Sequence, residues 1–522
     1  MAPPRSLRSL PPEGASVRLG AARRALSMGT HPGPLVMVDI EGTSLDATTA
    51  TFLRDNQIRA VCLFRKNLGS EAEVRQLTAD LRAVLGPLAL IGIDQEGGSV
   101  ARITFLPQAP AAMALGACDD EGLAGQVGAA VARGLRSLGI NWNFAPVLDV
   151  NNNPANPVIA ERSFSADPDA VARLARAWML GSLAEGVACC VKHFPGHGDT
   201  HVDSHHALPS VDKSLQQLEA LELRPFRALA PLAPAVMTAH IVYPQIDPEH
   251  PATLSKAVLG GVLREGIGYD GVVITDALMM KAVHERYGHA RAAVLALQAG
   301  ADMVLAQGSR DEQTEALAAI AAAQADGRLP AALLAQAQRR LDALAARFPA
   351  AERAFTAAER EADDMLMRSA WARGLSVVGA ARPPALQQPL RVLMQARVDS
   401  DGVSEAGLPA AAAMALFAGF ADVEFVPLPA LAALRPEQLP RDGRLNVIVS
   451  NQRARYPRST QVLRPDLHIT MWNPFQVLDI AAPALVSWGY AEGALAAVRA
   501  WLEGRADAPG RPPVPLSSPA SE

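Results

Sequence analysis

The sequence predicts an α/β protein: an N-terminal (β/α)8 barrel of the TIM type followed by a smaller α/β sandwich domain. Three observations carry this expectation. The chain has 522 residues, more than the roughly 250 that one barrel needs. Eight short apolar runs alternate with segments long enough for helices in the first two thirds of the chain. Polar residues with chemical capability stand at the C-terminal ends of those runs, where a barrel carries its active face. With 49% hydrophobic and 19% charged residues, the chain can bury large cores.

The runs are 35–40 (LVMVDI), 60–64 (AVCLF), 88–94 (LALIGID), 143–150 (NFAPVLDV), 188–194 (ACCVKHF), 235–240 (AVMTAH), 271–276 (GVVITD) and 303–306 (MVLA). Their near-continuous apolar character suits parallel strands covered on both faces. Between them, 214–229 opens with Ser214 and Gln217 in capping-box spacing, and Pro225 is expected to interrupt it. Asp167 followed by Pro168 marks another helix start. No GxGxxG follows the first strand, which favours a barrel over an open dinucleotide-binding sheet.

The expected organisation is a disordered tail over 1–32, the barrel over 33–345, a helical connector over 346–370, the sandwich domain over 371–510 and a loose tail over 511–522. The second domain rests on further apolar runs at 375–378, 390–394, 423–426, 445–450, 467–472 and 485–488, with a helix over 493–502. It shows no cluster of catalytic residue types.

A formal net charge of −5 predicts no attraction to nucleic acid. Cys62, Cys118, Cys189 and Cys190 show no CxxC spacing and read as small buried hydrophobes in a reducing compartment. The first thirty or so residues are rich in Arg, Ser, Ala and Pro and lack the apolar stretch of a secretory signal, so translation starts at Met1 or at Met28. No run of 18 apolar residues follows, so no membrane span is expected. The expected compartment is the cytoplasm; the oligomeric state is left open.

At the strand ends stand Asp94, Lys192 with His193, His240 and Asp276. Each has an ordinary alternative. Asp276 could cap a following helix, Lys192 and His193 could be buried structural partners, and Arg162 could be a surface charge. Asp149 and Asp302 read as loop-orienting residues. The segment 192–209, KHFPGHGDTHVDSHHALP, places histidines at 193, 197, 201 and 205, every fourth residue. On a helix that spacing suits a metal, but Pro195, Gly196 and Gly198 argue for a long polar loop over a barrel mouth, its two glycines available as hinges. Asp203 lies two residues before His205, so in an extended loop the two side chains share a face. The alternative is a solvated loop histidine with ordinary turn aspartates.

KHFPGHGDTHVDSH resembles the signature loop of the β-N-acetylhexosaminidases of glycoside hydrolase family 3. IDQEGG, APVLDVNNNP followed by ERSF, MTAHIVYP and GVVITDALMM resemble further blocks of that family, in the same order, over about residues 34–307. The resemblance implies that Asp276 is the nucleophile and that Asp203 and His205 form the acid/base dyad. It makes Asp94, Arg102, Arg162, Lys192 and His193 sugar-hydroxyl and positioning contacts, and it implies no metal and no cofactor. One departure is Ser99, where the family usually has Arg after DQEGG; it puts one supporting contact in doubt.

The implied reaction is retaining hydrolysis of terminal β-linked N-acetylglucosamine through a covalent glycosyl-aspartate, with muropeptide fragments of cell-wall recycling as the implied substrate. A histidine that repels phosphate less than a carboxylate does leaves a phosphorylase as the alternative. An inactive sugar-binding protein is a second alternative, opposed by the joint presence of Asp276, Asp203 and His205. A β-glucosidase of the same family fits less well, because those enzymes lack the GDT-x-x-DSH loop.

Overall fold

The computed structural model describes residues 31–400 and 406–516. The expected tail over 1–32 and both candidate start codons fall, apart from residues 31 and 32, outside the described residues. Eight parallel strands close into a barrel: β1 Val36–Val38, β2 Ala60–Leu63, β3 Leu90–Ile93, β4 Trp142–Asn143, β5 Ala188–Phe194, β6 Ala235–Thr238, β7 Val272–Ala277 and β8 Met303–Leu305. Each pairs with its neighbour in sequence, and β1 pairs with β8, so no open edge remains. The apolar runs are strands because both faces are covered: every residue of β5 is buried, Lys192 and His193 included. Gly92 leaves room for a large ring inside the barrel, since a Cβ there would lie 2.7 Å from Phe144 Cζ.

Two elements differ from expectation. The fourth run, 143–150, belongs to a barrel strand only at Asn143, and beyond Pro146 it makes one isolated parallel bridge, Val147 to Lys192. Pro146, after a cis peptide bond at Ala145, has no N–H to continue the ladder. Beyond it the chain stays against β5, where Leu148 N donates to the Lys192 carbonyl (2.6 Å). The expected helix over 214–229 is two helices, Leu215–Ala220 and Leu223–Leu229. The Ser214–Gln217 capping box forms. The break falls at Leu221 (φ −136°), and Pro225 sits in the first turn of the second helix. A proline ring excludes a helical carbonyl four residues earlier, which here is that of Leu221.

The second sheet has six strands: β9 Ser376–Val378, β10 Leu390–Gln395, β11 Val423–Leu428, β12 Leu445–Ser450, β13 Leu467–Thr470 and β14 Ala484–Val486. Their order is β9-β14-β13-β12-β10-β11, and only β9 runs antiparallel to its neighbour. Alternation along β10 feeds two layers. Val392 and Met394 join the core under the helix Glu492–Leu502, while Leu393 joins Leu431, Leu434 and Leu463 on the other face.

The segment between the two sheets is no free link. The helix Ala357–Gly374 runs past the expected boundary at 370 and lies on the barrel: Asp363 accepts from Arg133 Nη2 (2.5 Å), and Met367 enters the barrel core. Trp371 belongs to an apolar cluster at the junction, with Met113, Phe475, Trp488, Val514 and Leu516. Residues 511–516, expected to be loose, close this junction. Val514 and Leu516 are buried, Arg511 N donates to the Ala117 carbonyl and Ala166 N to that of Pro513. Prolines restrict the unfolded chain, so a Pro-rich segment needs few contacts to dock. No helix among the described residues is long and apolar enough to cross a membrane.

Candidate active site

The C-terminal end of the barrel opens into a cavity of about 930 Å³. Asp94, Arg102, Arg162, Lys192, His193, His205 and Asp276 all lie on its wall. Of the strand-end residues, only His240 stays behind the wall. It is fully buried, with Nδ1 on the Thr253 hydroxyl (2.8 Å) and Nε2 on the Ala277 carbonyl (3.0 Å), so it fixes the backbone that carries Asp276.

The wall formed by β3 and β5 is a dense charge network. Lys192 Nζ lies 2.7 Å from both Asp94 Oδ1 and Glu96 Oε1. Arg162 grips Glu96 with two parallel hydrogen bonds, from Nε (2.9 Å) and Nη2 (2.8 Å), the fork geometry that suits a guanidinium. Arg102 Nη2 stands 3.8 Å from Asp94 Oδ2. Burial opposes ionisation of Glu96, but Arg162 and Lys192 outweigh it and hold the carboxyl far below its ordinary range. Neither cation is a free surface charge.

His193 is fixed from behind. Its Nδ1 lies 2.7 Å from Asp149 Oδ2, while Asp149 Oδ1 accepts from the backbone N–H groups of His193 (3.2 Å) and His197 (2.6 Å). Asp149 thereby orients both β5 and the loop that follows. Asp302 takes the Val273 N–H (2.8 Å) and Arg264 (2.6 Å) and is not among the residues lining the cavity.

The loop after β5 is not helical between residues 195 and 206, and among the described residues its histidines do not gather as metal ligands, although His193, His197 and His205 line one cavity. His197 is buried and bridges the hydroxyls of Thr200 (2.9 Å) and Ser204 (3.1 Å). Burial and the neighbouring His193 push its imidazole down to about 4. Gly198 serves close packing: a Cβ there would lie 1.7 Å from the Val150 carbonyl oxygen. The loop is pinned to the chain beyond β7, where Ala282 N donates to the Ser204 carbonyl (3.3 Å). It presents Asp203, 4% exposed, and His205, whose Nδ1 lies 2.8 Å from Asp203 Oδ1. That leaves Nε2 for the cavity. Burial works against the Asp203 carboxylate, but hydrogen bonds and charge from His205, with Arg453, hold it well below its ordinary range.

In the same cavity, Asp276 has one hydrogen-bond partner among the described residues, the Ala277 N–H (2.7 Å). Burial alone would raise its pKa. The imidazoles of His240, His193 and His205 outweigh that and keep it lowered. A partly buried carboxylate held ionised, with no cation on it among the described residues, is suited to nucleophilic attack or to stabilising positive charge.

Residues 30–344 match the description "Glycosyl hydrolase family 3 N terminal domain". The chain belongs to this family. It is 41% identical over 283 residues to a β-hexosaminidase of Neisseria meningitidis serogroup C, covering 52% of this chain and 78% of that protein. A solved family 3 β-N-acetylglucosaminidase from Paenibacillus sp. str. FPU-7 superposes with a TM-score of 0.84 at 33% identity, over 94% of this chain and 99% of that one. A β-glucoside phosphorylase bound to 2FGlc has a TM-score of 0.79 at 22% identity, over 96% and 97% of the two chains, a likeness of fold alone.

Within this family 3 chain, two residues of the site are not among those expected from the sequence. Glu96, inside the quoted IDQEGG, is the hub of the charge network, and its place beside Asp94 was the available signal. Arg453, from the second domain, donates to Asp203 Oδ2 (2.6 Å); 250 residues separate the pair and nothing in the sequence links them. Ser99, where the family usually has Arg, donates its hydroxyl to the buried Glu161. Among the described residues, one group with metal-ligand chemistry gathers: His284, His289 and Glu312, with ligand atoms within 4.8 Å of one another. None of the three lines the cavity.

Proposed function

We propose that this family 3 enzyme is a retaining β-N-acetylhexosaminidase that releases terminal N-acetylglucosamine, with muropeptide fragments in the cytoplasm as its substrate class. The observation that carries the reading is the presence in one cavity of Asp276, a carboxylate with no cation on it among the described residues, and His205, an imidazole with Nδ1 committed to Asp203. In the first step an Asp276 oxygen bonds to the anomeric carbon as the bond to the leaving oxygen breaks. Protonated His205 gives its Nε2 proton to that oxygen, and Asp203 holds the ring in place. In the second step His205 takes a proton from water, the water oxygen bonds to the anomeric carbon, and Asp276 leaves as carboxylate. Asp94, Arg102, Arg162, Lys192 and His193 hold the sugar hydroxyls. The names and extents of the β-hexosaminidase and β-N-acetylglucosaminidase relatives support the sugar assigned.

One experiment tests this: turnover of an aryl β-N-acetylglucosaminide beside the matching β-glucoside, each with and without phosphate. Hydrolysis of the N-acetyl substrate, insensitive to phosphate, is expected. Formation of a sugar phosphate would make the enzyme a phosphorylase, preference for the glucoside would overturn the substrate, and no turnover of either would leave a sugar-binding protein. Release of N-acetylglucosamine from anhydro-muropeptides tests the natural substrate class.

A further inference from the structure

The second sheet carries no catalytic cluster of its own, yet it delivers one side chain to the dyad. We infer that Arg453 is a positioning residue of the acid/base pair: the second domain clamps Asp203 through Arg453 and thereby fixes His205 and its proton affinity. The inference rests on the reading of Asp203 and His205 as the dyad.

Each Asp203 oxygen has its own task. Oδ1 accepts from His205 Nδ1 (2.8 Å) and from the His205 backbone N–H (2.9 Å). Oδ2 accepts from Arg453 Nη2 (2.6 Å). The side chains of Asp203 and Arg453 are 4% and 12% exposed, so solvent screens the pair weakly.

Arg453 is itself held firmly, in the turn that follows β12. Its carbonyl accepts from Asn473 Nδ2 (2.7 Å), and the carbonyls on either side, of Gln452 and Ala454, accept from Gln476 Nε2 (2.9 and 2.8 Å). Two residues on, Arg455 pairs with Asp479 and reaches the barrel at the Pro154 carbonyl (2.9 Å). The turn is thus fastened both to its own domain and to the barrel. An acid/base group on a loop gains from such support, because small misplacements of a catalytic group cost large factors in rate.

The charge has a direction. A guanidinium on the far oxygen of Asp203 favours the ionised carboxylate and disfavours a second positive charge on the imidazole. The other groups around the dyad are Asp276 in the same cavity, His240 behind its wall, His197 through Ser204, His201 and His206 on the same loop, and Glu161 beside Arg453. Removing Arg453 therefore lets the dyad keep its proton to higher pH and makes it a weaker acid.

The test is the pH profile of kcat/KM for the full-length enzyme with a substrate whose leaving group is poor. Arg453→Met should move the alkaline limb upward by about 0.5 to 1 unit and lower kcat about tenfold or more with little change in KM. Arg453→Lys, which keeps the charge, should return the limb toward the wild-type position. Arg453→Gln makes the same charge test if the methionine variant does not fold, and the 13C chemical shift of His205 Cε1 against pH reads the proton affinity directly. Profiles of both neutral variants that overlay the wild type, with His205→Ala still selective against poor leaving groups, overturn the role of Arg453 alone. A His205→Ala enzyme with no such selectivity would overturn the dyad reading beneath it.

Discussion

The two sides of the cavity are built on opposite principles. On the β3–β5 side each charged group is paired: Lys192 meets two carboxylates, Arg162 grips one in a fork, and His193 is backed by Asp149. On the other side, among the described residues, Asp276 has only a backbone N–H, and the His205 ring spends one nitrogen on Asp203 and leaves the other unused. A fully paired wall is pre-organised to hold a ligand. Groups left with spare bonding capacity have their full interaction still to make, and they make it in the transition state. Substitutions on the second side should therefore cost rate and little stability, and those on the first the reverse.

The largest expected effect is at Asp276. Asp276→Ala should lower kcat by more than about 10⁴-fold, as loss of a nucleophile does, while the thermal midpoint shifts little, because one hydrogen bond to a neighbouring N–H is lost. A 2-fluoro sugar with a good leaving group should label this residue, read by peptide mapping. A label on another carboxylate, or near-normal turnover of the variant, would place the nucleophile elsewhere.

Next comes His205. Acid/base assistance is worth about 10² to 10⁴ in rate, so His205→Ala should slow a poor leaving group by about that factor and a dinitrophenolate far less in single-turnover glycosylation. Azide, which needs no deprotonation, should restore part of the second step. Asp203→Ala should show a milder form of the same selectivity, since the ring remains and only its support is lost. Uniform losses across leaving groups, without azide rescue, would remove the dyad from the chemistry.

On the paired wall the expectation reverses. Lys192→Met leaves Asp94 and Glu96 short of a shared, buried cation, and breaking such a pair typically costs about 3 to 5 kcal/mol. Urea denaturation should show a loss of that size. KM should rise with it if Lys192 also touches sugar. A stability change like that of Asp276→Ala would mean that the two walls do not differ as described.

The same contrast explains what the sequence made legible. Asp94, Lys192, His193 and Asp276 end apolar runs, and a barrel turns strand ends into one ring, so periodicity alone brings them together. The run 143–150 misled because Pro146 interrupts its ladder, leaving one isolated bridge at Val147, without ending its apolar pattern. His205 was legible as chemistry through the loop motif, but its placement depends on Ser204 meeting Ala282 and Asp203 meeting Arg453, contacts between distant segments that local pattern does not encode. The glycines at 196 and 198, read as hinges, also serve close packing: at Gly198 any Cβ would strike the Val150 carbonyl. Val514 and Leu516 were hidden among prolines, whose abundance signals looseness only when no apolar residue among them finds a core.

Glu161 tests the contrast most finely, because it adjoins the paired wall and lacks the pairing. It is 2% exposed, with the Ser99 hydroxyl as its side-chain partner, and burial pushes its pKa up to about 7. A carboxyl with a raised native pKa binds its proton more tightly folded than unfolded. Its contribution to stability is therefore complete below the unfolded value near 4.5 and is lost as pH rises through about 7. Over that window the folded protein should lose roughly 3 kcal/mol from this group. Glu161→Gln keeps an uncharged hydrogen-bonding group of the same size, so it should flatten the decline of denaturation free energy between pH 5 and 7 and make the variant the more stable protein at neutral pH. Neighbouring Glu96, tied to two cations and ionised throughout the same window, should give no such slope, and Glu96→Gln should destabilise at every pH there. If Glu161→Gln instead destabilises at pH 7, Glu161 is ionised in the folded protein, its charge is answered by Arg162 and Arg453, and the paired wall extends one carboxylate further than the geometry of its hydrogen bonds indicates.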